Sequence, residues 1–189
     1  MLNIKTVLLL VIGLIFSASE SPFLKSEPLP FDTIDINYGD QKLNIEYKLR
    51  GYFVAGSQPH PNDLVGYARS ENIPVEFPSF YSPKTRSAEL IAFPDVKASF
   101  LDIYEGFKLV LANPTDEDIK MRGSDSRPSL VMQAKIEGEE WRDIEYLPKS
   151  WCGNSYHTLT LPTNKAWVFV APKYHGEIDA KLRFVLRDM

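Results

Sequence analysis

Apolar and polar side chains alternate with a period of two over two neighbouring stretches near the N-terminus. Ile34, Ile36 and Tyr38 share one face with Thr33, Asp35 and Asn37 opposite. Leu43, Ile45, Tyr47 and Leu49 then alternate against Lys42, Asn44, Glu46 and Lys48. A strand places successive side chains on opposite faces, so both stretches predict half-buried strands. Gly39-Asp40 between them predicts a hairpin turn. A shorter apolar run, Tyr52-Phe53-Val54, follows.

The alternation stops at residues 56–94, where Pro59, Pro61, Pro74, Pro78, Pro83 and Pro94 interrupt regular structure. Asn62 or Asp63 is placed to cap a short helix over residues 64–70, and residues 87–91 fit one further helical turn. Phe77, Phe80, Tyr81 and Phe93 mark this section as a connector that packs onto a domain, since a free linker is poor in aromatic residues.

From residue 95 onward short strand patterns recur about every ten residues. They are predicted at 96–104, 107–112, 118–121, 129–136, 141–146, 156–161, 165–170 and 180–186. In the last, Ala180, Leu182, Phe184 and Leu186 face inward while Lys181, Arg183 and Arg187 face water. Asn113-Pro114-Thr115-Asp116, Gly123-Ser124-Asp125-Ser126 and Glu137-Gly138-Glu139 supply turns. Seven or eight strands in about ninety residues match an immunoglobulin-like antiparallel β-sandwich in size. The Cys and Trp spacing of antibody domains is absent, so the likeness is one of architecture. The phrase Leu-Ala-Asn-Pro-Thr-Asp-Glu-Asp between two strands resembles one that many bacterial immunoglobulin-like modules carry. The fold class is therefore all-β: residues 20–94 form a hairpin and Pro-rich connector packed on a sandwich of residues 95–189.

Residues 1–19 read differently. One lysine, an apolar run over residues 7–16 and the small residues Ser17-Ala18-Ser19 predict a secretory signal cut after Ser19. Ten apolar residues are about half of what a membrane-crossing helix requires, and no later stretch could span a bilayer. The expected location is periplasmic or extracellular. Losing Lys5 with the leader leaves a net charge of about −5. Lys and Arg are scattered, which argues against nucleic acid as a partner. A hydrophobic fraction of 44% suffices for a real core. Cys152 is the only cysteine, so no internal disulfide is possible and packing must hold the fold.

Candidate chemistry concentrates in Trp151-Cys152-Gly153-Asn154-Ser155-Tyr156-His157. The Cys152 to His157 spacing resembles one used by blue-copper proteins, with His60 or His175 as a second ligand, but no Met follows at 158–161. A Cys152 nucleophile with a His157 base is a further reading, although its surroundings match no cysteine-protease signature. The third is ligand binding: Trp151 and Tyr156 would offer flat faces, and Asn154 and Ser155 hydrogen bonds, to a protein, peptide or carbohydrate. Its structural rival has Trp151 plugging the open end of the core while Gly153 and Asn154 adopt unusual backbone angles. Asp116, Glu117 and Asp118 could gather a calcium ion with Asp125, but lack the spacing of a calcium loop. Pro114 prevents glycosylation of Asn113, and no phosphate loop, nucleophile elbow or zinc helix occurs. The sequence thus predicts an exported, non-catalytic binding or accessory module without a cofactor. The alternative is a Cys152- and His157-dependent metal or thiol site.

Overall fold

A computed structural model describes residues 43–44, 49–57, 70–147, 149–151 and 153–187. The expected signal segment, the Gly39-Asp40 turn, the capped helix at 64–70 save Ser70, His60 and Cys152 lie outside the described residues. The described chain is mostly β, in several antiparallel sheets. Among the described residues no helix is long and apolar enough to cross a membrane.

Among the described residues three three-stranded sheets carry the fold. The first has the order β11-β4-β3, from β3 (Glu89–Phe100), β4 (Tyr104–Asn113) and β11 (Lys165–Pro172). The second has the order β10-β5-β6, from β5 (Ile119–Ser124), β6 (Arg127–Pro128) and β10 (Tyr156–Leu161). The third has the order β13-β7-β8, from β7 (Leu130–Lys135), β8 (Arg142–Asp143) and β13 (Lys181–Leu186). Two short parallel pairs complete the set. β1 (Leu43–Asn44) lies beside β12 (Tyr174–His175), and β2 (Leu49–Arg50) beside β9 (Glu145–Tyr146).

Alternation explains the core. On β4 and β11, Leu109, Leu111, Trp167 and Phe169 face one way and join Met121, Leu130, Met132, Leu159 and Leu161 from the other sheets. Val110, Ala112 and Ala166 face the other way, where Tyr81 seals them with Phe77 and Phe93 at its edges. The first sheet is therefore covered on both faces here, which is why residues 109–112 of β4 read as a continuous apolar run rather than an alternation. Phe53 joins the main core, edge-on to both Phe169 and Phe184 at 5.4 and 6.0 Å between ring centres. Trp167 donates its ring N–H to the carbonyl of Gly56 at 2.9 Å. Ser70 O would stand only 2.3 Å from a Cβ at residue 56, so only glycine fits this crossing.

Several expectations need correction. Residues 89–91 are strand rather than a helical turn. They pair in register with β4, and the Glu89 carboxylate bonds backward to Lys84 N, Thr85 N and Tyr81 OH, closing a loop instead of capping a helix. The boundary expected at 94/95 falls inside β3. There the pairing skips three residues between Phe93 and Lys97, and Pro94, which cannot donate to a ladder, stands in the gap. The stretch 141–146 divides into β8 and β9, which pair with different strands. The turns expected at 123–126 and 137–139 are present. Asp125 and Ser126 take φ of 50° and 58°, and Gly138 takes 78°. At 113–116 the buried Asn113 side chain accepts from Thr115 and donates to the carbonyls of Glu117 and Leu161, fixing the loop from within.

Candidate functional site

β5 and β10 run antiparallel through six consecutive pairs, from Tyr156 opposite Ser124 to Leu161 opposite Ile119. The register sorts their side chains into two faces. Ile119, Met121, Leu159 and Leu161 are buried beneath the sheet. On the outer face Thr158 stands opposite Arg122 and Thr160 opposite Lys120. Lys120, Arg122 and Thr158 are exposed. Together with Met121, Gly153, Tyr156 and His157 they line a shallow, open depression of about 510 Å³.

The Arg122 guanidinium lies over the Tyr156 ring, 4.5 Å from its centre. Stacking covers one guanidinium face and leaves its N–H groups directed along the plane, the arrangement that suits an anion or a carbonyl. Neither Lys120 nor Arg122 forms a salt bridge among the described residues.

The turn before β10 sets the upper end. Gly153–Ser155 forms a single 3-10 turn, and Ser150 Oγ donates to Ser155 Oγ at 2.5 Å. Tyr156 OH reaches the Ser150 carbonyl at 3.4 Å, while Asp125 N donates to the Ser155 carbonyl at 2.8 Å, tying this turn to the β5–β6 hairpin. Two residues before Gly153, the Trp151 side chain stands wholly in solvent at 102% relative exposure. This overturns the reading of Trp151 as a plug of the core. The buried tryptophan of the core is Trp167, on β11 opposite Leu111 of β4. Gly153 carries no positive φ, so the expectation of unusual backbone there also fails.

His157 lies on the inward side of β10 with Leu159 and Leu161, half-buried, its Nδ1 3.2 Å from the carbonyl of Ser155. His175 is exposed on β12, a different sheet element that pairs with β1. Among the described residues no group of three or more His, Cys, Asp or Glu side chains is placed to hold a metal ion. The calcium grouping separates as well. Asp118 precedes β5 and accepts from Thr163 N, while Asp125 follows it, so a six-residue strand spanning about 20 Å divides them.

Sequence reasoning missed Lys120 and Arg122. Their signal was the alternation Ile119-Lys120-Met121-Arg122, which places both cations on one face. Only the pairing with β10 brings that face to Tyr156. It also missed Glu145, fully buried at 0% exposure and bound by Tyr52 OH at 2.5 Å, Met132 N at 3.0 Å and Tyr174 OH at 3.4 Å. Burial pushes the Glu145 carboxyl above its ordinary range despite these three donors, and the nearby Asp143 charge adds to the rise. Burial beside this carboxylate likewise raises Tyr52 and Tyr174.

No family model matches the chain, and no curated protein or solved structure matches it either.

Proposed function

We propose that the protein is an exported binding module without catalytic chemistry, built as an immunoglobulin-like sandwich, and that it contacts its ligand through the β5–β10 outer face and the adjoining Trp151. The observation that carries this reading is the pairing of a wholly exposed Trp151 with a Tyr156 ring already stacked on Arg122. An indole left in water has no folding benefit, and aromatic and arginine side chains carry much of the energy of recognition surfaces. The leader-like segment 1–19 supports export. The antiparallel sheets, with loops gathered at strand ends, support a sandwich whose ligand surface is displayed near one end.

The test is an array of glycans and peptides probed with the protein and with Trp151→Ala, Tyr156→Ala and Cys152→Ser variants. The reading expects the first two to lose about tenfold or more in affinity for whatever the wild type retains, and Cys152→Ser to bind as wild type. Full binding by Trp151→Ala and Tyr156→Ala contradicts it. Loss confined to Cys152→Ser would instead favour a Cys152 and His157 centre.

A further inference from the structure

The same face is chemically more specific than a generic contact surface, and we infer, resting on the reading above, that its ligand is an acidic polysaccharide whose carboxylates sit against Lys120 and Arg122. The chain as a whole is acidic, with 25 Asp and Glu against 21 Lys and Arg. On the β5–β10 ledge that balance is reversed. The described residues lining the depression include two cations and no carboxylate. Lys120 and Arg122 stand two residues apart on one strand face, about 7 Å along β5. Neither has an ion-pair partner among the described residues, a state they share with other surface cations such as Lys108 and Lys135. Two adjacent uncompensated cations repel each other mildly and attract a polyanion.

The rings and hydroxyls narrow the class. Tyr156 holds Arg122 in place from one side, so the guanidinium edge is fixed before a carboxylate arrives to take two N–H donors. Thr158, exposed directly opposite Arg122, offers a hydroxyl at the same level. The depression is open and shallow, which suits a chain lying across the sheet rather than a side chain entering a hole. A peptide recognised by strand addition would bond to a strand edge through its main chain, whereas these cations and the ring stand on the sheet face. The exposed indole of Trp151, two residues before the Gly153 that lines the depression, adds a flat apolar surface to these hydroxyl and cationic groups, a combination that matches sugar rings bearing carboxylates.

The experiment is affinity electrophoresis of the protein through gels containing polygalacturonate, neutral dextran or single-stranded polydeoxythymidine. Variants are Lys120→Met, Arg122→Met, Arg122→Lys and Trp151→Ala. All four substitutions are at exposed positions, and circular dichroism checks their folding. Polygalacturonate should retard the wild type and dextran should not. Lys120→Met and Arg122→Met should each weaken retardation about tenfold, and Arg122→Lys by about threefold, because it keeps the charge and loses the fork. Equal retardation by dextran, abolished in Trp151→Ala, overturns the acidic class while leaving the contact surface standing. Stronger retardation by polydeoxythymidine overturns it in favour of nucleic acid. Retardation by neither polysaccharide overturns it outright, and the array then judges the contact surface independently.

Discussion

Glu89 and Glu145 are two buried carboxylates that the fold treats in opposite ways. Burial pushes Glu89 up, but hydrogen bonds from the Thr85 hydroxyl, Tyr81, and the backbone of Lys84 and Thr85 outweigh it, so the carboxyl titrates below its ordinary value. At Glu145 burial wins over the bonds from Tyr52, Met132 and Tyr174, and the carboxyl titrates above it. Linkage turns these directions into opposite pH dependences. The contribution of Glu145 is complete below about pH 4.3 and declines as pH rises through its raised folded value. That of Glu89 is present above about pH 4.3 and is lost as pH falls through its lowered one. Urea unfolding of Glu145→Ala and Glu89→Ala, each destabilised by about 2–4 kcal/mol, should therefore diverge. As pH rises from about 4.3 the loss caused by Glu145→Ala shrinks while that caused by Glu89→Ala stays level, and as pH falls below about 4.3 the loss caused by Glu89→Ala shrinks while that caused by Glu145→Ala stays level. Parallel trends would contradict the assignment of the two environments.

Hairpin geometry decides what each element tolerates. β3 and β4 join through Leu101, Asp102 and Ile103, with Leu101 and Asp102 at φ of 53° and 60° and Leu101 at 64% exposure. A left-handed backbone suits Asn far better than Leu, so Leu101→Asn should raise stability by about 0.5–1 kcal/mol, read as a higher midpoint in thermal unfolding. A lower midpoint would mean that Leu101 makes a contact the turn depends on. The strands themselves were largely legible, because 156–161 and 180–186 alternate with a period of two, Pro162 closes the first, and 165–170 is a short apolar run that starts after Asn164. β3 was misplaced because Pro94 reads as a breaker, whereas in the fold it marks a shift of register within a longer strand. The parallel pairs β1 with β12 and β2 with β9 left no local trace, since each joins residues about a hundred or more apart. At the site, Tyr156 and His157 were legible from the cluster around Cys152. Lys120 and Arg122 were not, since an outward cation on a strand is the ordinary case until its neighbour is known.

Across the whole molecule, the segment 49–57 is threaded into the structure rather than laid upon it. Phe53 and Ala55 are buried in the main core, Ala55 N bonds to Ser126 O, Ser57 Oγ receives Thr160 N, and Tyr52 reaches Glu145. These ties join the segment to all three sheets, to β10 through the Thr160 backbone and to the main core through Phe53 and Ala55. The result is an acidic chain that displays a cationic, aromatic ledge on β5 and β10. Amide NMR of the uniformly labelled protein, titrated with the strongest ligand from the array, tests that description most directly. The account predicts shifts concentrated at residues 120–124 and 151–160 with the rest of the spectrum unmoved. Shifts centred on the β3–β4 sheet or on β13, with residues 120–124 and 151–160 silent, would contradict it.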